Sequence, residues 1–196
     1  MTPREAFLAY ARGAFRQEQD RNQTSTYLSE GNESLFEAFV ESVGAVEQVD
    51  PLVELLAMET PRGPRDIKYE LWVVVLQRIR QILGGDRDAL VAEVLVHLTY
   101  GEDDDAIVTW EEARDIYPDD PEVLRVGLLV AAANRLEEEM GSCLNGLAAR
   151  EPSDDLWAEL QALLERRDWR ALQLRSRYNP RRNQWFERAA RARSGY

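Results

Sequence analysis

The chain has 196 residues, 44% of them hydrophobic, and sets 24 Lys and Arg against 36 Asp and Glu for a formal net charge of −12. That hydrophobic share supports a folded core and excludes disorder by composition, while the acidic excess repels phosphate backbones and argues against nucleic acid as a partner. The longest apolar cluster, near Leu71–Leu76, falls far short of the roughly 20 residues that span a bilayer, so no membrane role is expected.

A single cysteine, Cys143, rules out an internal disulfide and fits a reducing compartment. It lies in a helical pattern and reads as a small core residue. The N-terminal Met1-Thr2-Pro3-Arg4-Glu5 lacks the apolar stretch of a secretory signal, so a cytoplasmic location is expected. Charge is unevenly spread. Lys68 is the only lysine, and Arg175, Arg177, Arg181, Arg182, Arg188, Arg191 and Arg193 crowd the C-terminus. Acids cluster earlier, at Glu102–Asp105, Glu111, Glu112, Asp119, Asp120 and Glu137–Glu139. A basic tail and an acidic body allow a homodimer; the plain alternative is a solvated, arginine-biased surface.

In chain order, Thr2, Pro3 and Glu5 form a capping box that starts a first helix, with Phe7, Tyr10, Ala11, Ala14 and Phe15 on one face. Gln17 to Asn32 reads as a connection. A second helix carries Leu35, Phe36, Phe39, Val40 and Val43, and a third starts at Asp50-Pro51 and runs to Met58. Thr60-Pro61-Arg62-Gly63-Pro64 is the strongest breaker, which sets an expected boundary between a 1–65 N-terminal helical region and a 66–196 repeat domain. Asp66 to Leu83 has no internal turn signal, so its length predicts a helix, stopped by Gly84-Gly85.

From Asp86 the pattern becomes regular. Helices are predicted over Asp86–Tyr100, Asp103–Tyr117, Pro121–Asn134, Leu136–Ala149, a segment capped by Ser153 and ending near Arg167, and a segment from Asp168 to before Pro180. A last helix carries Trp185, Phe186, Ala189 and Ala190; its aromatics are expected to cap the last hairpin. Pro118 and Pro152 are 34 residues apart, as are Gly101 and Arg135, Leu90 and Leu124, and Trp110 and Leu144. Paired helices at a fixed period signal stacked hairpins, since one hairpin cannot bury both of its faces.

On these residues the chain resembles the tetratricopeptide repeat family over about residues 86–178. Gly101 to Ile107 is similar to the family's turn and second-helix start, and Trp110, Ala113 and Pro118 to its large apolar residue, alanine and closing proline. The departures are Val94 and Leu128 where a small residue belongs, Met140 for an alanine, and Gly141 and Gly146 in one second helix, each glycine weakening a helix by about 1 kcal/mol. The third hairpin matches loosely, through Leu156, Asp168 and Trp169. The resemblance implies an all-α fold: about three stacked antiparallel hairpins in a right-handed superhelix, with extra N-terminal helices and a C-terminal capping helix.

By the same resemblance, partners bind a concave groove lined by the first helix of each hairpin. Those positions are Asp88, Val91, Leu95 and Thr99; Glu122, Arg125, Leu129 and Ala133; and Trp157, Gln161 and Glu165. This mixed apolar and acidic set suits a peptide or protein segment. It lacks the lysines and asparagines with which chaperone-tail-binding members clamp a carboxylate. Glu93 and His97 share a helix face but supply two metal ligands where a site needs three or four, so no metal and no cofactor are expected. One histidine and one cysteine form no nucleophile motif, so no catalytic residues are assigned. The expected function is a non-enzymatic interaction scaffold, with a secretion-type chaperone or a ligand-binding or enzymatic helical domain as alternatives.

Overall fold

The computed structural model describes residues 1–20, 30–58, 65–151, 155–176 and 183–194. The breaker at 60–64, Pro152 with the Ser153 cap, and Arg177, Tyr178, Pro180, Arg181 and Arg182 lie outside the described residues, as do the 21–29 part of the first connection and the side chain of Phe15. Among the described residues all regular elements are helices: α1 (Pro3–Asp20), α2 (Glu30–Gly44), α3 (Val49–Leu56), α4 (Arg65–Ile82), α5 (Arg87–Tyr100), α6 (Asp103–Ile116), α7 (Pro121–Asn134), α8 (Glu137–Arg150), α9 (Asp155–Glu165), α10 (Trp169–Arg175) and α11 (Gln184–Ser194). The chain is all-α, a sequence of helices that pack on their neighbours.

It forms two compact units, one of Met1–Asp86 with Trp185–Tyr196 and the other of Arg87–Gln184. The division therefore falls after α4, whereas the composition break at 60–64 placed it before. Helix α4 carries Ile67, Leu71, Val75, Leu76 and Ile79 buried on one face, and packs on α1, α2 and α3. Those contacts assign it to the first unit.

In the first unit the capping box forms as expected. The Glu5 amide donates to Thr2 Oγ1 at 3.2 Å and the Thr2 amide donates to Glu5 Oε2 at 2.8 Å. Hydrogen bonding by the Thr2 amide and hydroxyl to the Glu5 carboxyl holds it below its ordinary pKa. Helices α1 and α2 pack along each other, with Phe7 against Phe39 at 5.5 Å and Tyr10 against Phe36 at 5.2 Å between ring centres. The Tyr10 hydroxyl donates to the Glu70 carboxylate of α4. Helix α11 belongs here. The contacts that hold it are with this unit rather than the last hairpin's residues named in the expectation: Phe186 packs on Trp72 and Trp185 bonds Asp86.

In the second unit the period is written into the backbone. The first helix of each hairpin ends on a left-handed residue: Gly101 at φ 82°, Arg135 at φ 58° and Arg167 at φ 53°. The next amide reaches back five residues, from Glu102 to the His97 carbonyl, Leu136 to Ala131 and Asp168 to Leu163, at 2.9–3.0 Å. That bond closes a Schellman stop and recurs although a left-handed arginine costs about 1 kcal/mol. Between hairpins the stop is different. Tyr117 (φ −130°, ψ 60°) and Glu151 (φ −127°, ψ 60°) adopt the same backbone, and each precedes a proline, whose ring bars its predecessor from helix. The second stop of each kind comes 34 residues after the first.

Candidate interaction surface

Helix α7 is the hub of the second unit, packing on α5, α6, α8 and α10. Pro121 opens it, and Asp120 caps it, its Oδ1 accepting from the Glu122 amide at 2.8 Å and the Val123 amide at 3.2 Å. Its Oδ2 accepts from Arg87 Nη1 at 3.0 Å, which ties the start of α7 to the start of α5. Burial opposes the charge on Arg87, but the paired Asp88 and Asp120 carboxylates outweigh it and raise its pKa above the ordinary arginine value.

A glycine decides how close α7 can come. A Cβ on Gly127 would stand 2.6 Å from Trp110 Nε1 and 2.8 Å from Cys143 Sγ. The bare backbone thus lets the Trp110 indole lie against α7 and donate to the Val123 carbonyl at 3.3 Å, while the Arg114 guanidinium covers the outer ring face 4.6 Å from its centre. The small residue that the repeat pattern places at Leu128 is therefore Gly127, one position earlier. At Gly146 the neighbour is the flexible end of Leu124, 2.9 Å from a built Cβ; at Gly141 it is Leu164 at an ordinary 3.9 Å. Cys143 is buried in this core, and that burial pushes its thiol pKa up to about 12.

The candidate stripe on α7 is half-buried along its length: Glu122, Arg125, Leu129 and Ala133 all lie between core and solvent. Arg125 is held in place, donating to Glu122 Oε1 at 2.6 Å and to the Glu151 carboxylate. The matching positions of α5 divide. Leu95 is half-buried and Thr99 is exposed, its hydroxyl donating to the Leu95 carbonyl at 2.6 Å. Asp88 and Val91 are buried, Val91 completely. Asn183, itself fully buried, donates its side-chain amide to the Asp88 carbonyl at 2.6 Å. The open part of the α5/α7 layer is thus Leu95, Thr99, Leu129 and Ala133, with Glu122 and Arg125 at one end.

The third hairpin does not extend this layer. Helix α9 packs on α8, and it is α10 that lies on α7, with Gln173 Nε2 donating to the Ala132 carbonyl at 3.2 Å. This hairpin is also shorter: α9 has 11 residues where α7 has 14, about one turn fewer, and its left-handed stop arrives 32 residues after Arg135. Trp157 is buried, Gln161 half-buried and Glu165 exposed, all on a helix not laid along α7. Nothing in the composition of α9 announces that exchange of layers, and the Asn183 contact joins residues 95 apart. Gly127 was visible in the sequence as the one glycine of α7.

Other candidate chemistry is sparse. Glu93 and His97 are both buried on α5 with Oε1 and Nε2 3.8 Å apart. Among the described residues no three His, Cys, Asp or Glu side chains gather as a metal-binding group. No helix among them is long and apolar enough to cross a membrane. In comparisons with known proteins, no family model, no curated protein and no solved structure matches the chain.

Proposed function

We propose that the protein is a non-catalytic interaction scaffold, similar to tetratricopeptide repeats, whose α5/α7 layer binds a peptide or a segment of a protein partner. The observation that carries this reading is the repetition of one half-open stripe, Leu95 and Thr99 on α5 and Leu129 and Ala133 on α7, at the 34-residue spacing of the stops. Half-buried apolar side chains on adjacent helices make a floor for an amphipathic segment, and the held charges of Glu122 and Arg125 give it one polar end. The repeated backbone stops support the tetratricopeptide-like reading over an unrelated helical bundle.

The test replaces residues that touch water, so that the fold survives. A Thr99→Glu/Ala133→Glu chain is expected to keep its circular dichroism spectrum and to lose the proteins that the native chain retains from its source lysate. Retention of the same proteins by both chains would contradict the reading.

A further inference from the structure

We propose that the first unit carries a second docking site, for a helix of a protein partner that presents two adjacent aromatic rings followed by arginines, and that α11 fills this site in cis. Every contact of the site lies within that unit, although residues 87–183 separate α11 from the rest of it in sequence. The site has an aromatic floor and an acidic rim. Phe186 stacks on Trp72, 5.1 Å between ring centres and tilted by 31°. Trp185 is buried and its Nε1 donates to Asp86 Oδ1 at 2.7 Å. Arg188 reaches Asp50 Oδ1 at 2.7 Å and lies over the Trp185 ring at 4.9 Å. Arg193 Nε donates at 3.3 Å to the Ala57 carbonyl, which sits at the C-terminal end of α3 where the helix dipole favours a cation.

The hold on α11 is short. Trp185 and Ala189 are its buried residues and Phe186 is half-buried, whereas Glu187, Ala190, Arg191, Arg193 and Ser194 are exposed. The Arg188–Asp50 pair is open to water, with the Asp50 side chain 88% exposed, so it steers and selects more than it holds. The fit is also incomplete: the buried Trp72 Nε1 finds no acceptor. A partner helix that repeats the aromatic pair, sets an arginine opposite Asp50 and offers an oxygen to Trp72 satisfies a donor that α11 leaves bare, and displaces it. Lys68, 5.6 Å from the Trp72 ring centre, favours a carboxylate as that oxygen.

The test uses the full chain and a fluorescent peptide of residues 184–194, read by anisotropy. Trp185→Ala/Phe186→Ala in the chain vacates the site, so the native peptide is expected to bind that variant saturably and about tenfold or more tighter than it binds the wild type, where α11 competes. A peptide with the same two alanines should not bind. Arg188→Glu in the chain loosens α11 without touching the core and keeps the test open if the aromatic variant loses its helicity. With Arg188→Glu in the chain, adding Asp50→Arg should reverse the preference, so that a peptide carrying Arg188→Glu binds better than the native one. No peptide binding to either loosened chain would overturn the proposal. So would a doubling of mass by light scattering on loosening, which would make the occupant a second copy. The Asp50 swap leaves the α5/α7 layer untouched, so capture through that layer fails or survives separately.

Discussion

The two compact units close in different ways. The second repeats its stops, so Gly101 and Arg135, or Tyr117 and Glu151, share a backbone conformation one period apart, and from α5 to α9 each helix packs on the next in sequence. The first has no such recurrence. Its helices meet through particular side chains, Phe7 on Phe39 and Tyr10 on Glu70, and its last element, α11, comes from the far end of the chain. A periodic unit can present the same surface more than once. An irregular unit completed by a distant helix presents a surface that its own chain already occupies.

That contrast can be broken most forcefully at Trp110. It is buried and reaches from α6 onto α7, and Trp110→Ala is expected to cost about 3–5 kcal/mol. Hydrogen exchange should quicken from α5 to α10 while α1–α4 and α11 keep their protection; uniform loss of protection would show one cooperative body.

Next in size comes the glycine series. Gly127→Ala should destabilise by about 1–3 kcal/mol, because its Cβ meets the Trp110 ring and Cys143 Sγ below 3.0 Å. Gly141→Ala, with ordinary contact only, should stabilise by up to about 1 kcal/mol through helix propensity. Urea denaturation separates the two signs, and equal gains would show that α6 and α7 are not held by close approach. Asp120→Ala removes the cap of α7 and the partner of Arg87, an expected loss of about 1–2 kcal/mol by the same assay.

The smallest effect is on pH. The Cys143 thiol ionises near 9.0 when unfolded and near 12 when folded, so between those values the unfolded chain has lost a proton that the native chain keeps. Stability therefore falls as pH rises from about 9 to about 12. The fall should be shallower in Cys143→Ala, measured by urea denaturation across that range; identical slopes would place the thiol in contact with solvent.

The sequence made the second unit legible because its signals are local. Proline after Tyr117 and after Glu151, and a break at Gly101 and Arg135, are each readable within a few residues and then by their spacing. Helix α4 was readable for the same reason, from an uninterrupted length without a turn signal. What escaped depends on contacts between distant residues. Helix α9 packs on α8 while α10 lies on α7, which takes Trp157, Gln161 and Glu165 out of the expected stripe. Asn183 closes over Asp88 from 95 residues away. The aromatic pair Trp185-Phe186 marked α11 as an anchored helix, but no local feature said which unit it anchors to. Ile116 falls on the apolar helical spacing of Trp110 and Ala113, yet it is 48% exposed at the last residue of α6.

The most direct measurement places a photo-crosslinking residue singly at Thr99, at Ala133 and at Asn145 in the full chain. Asn145 is exposed on α8, outside the α5/α7 layer. The same partner protein crosslinked from Thr99 and Ala133, and not from Asn145, is the expected result. Crosslinking from Asn145 alone, or from all three positions alike, would contradict a binding face on the α5/α7 layer.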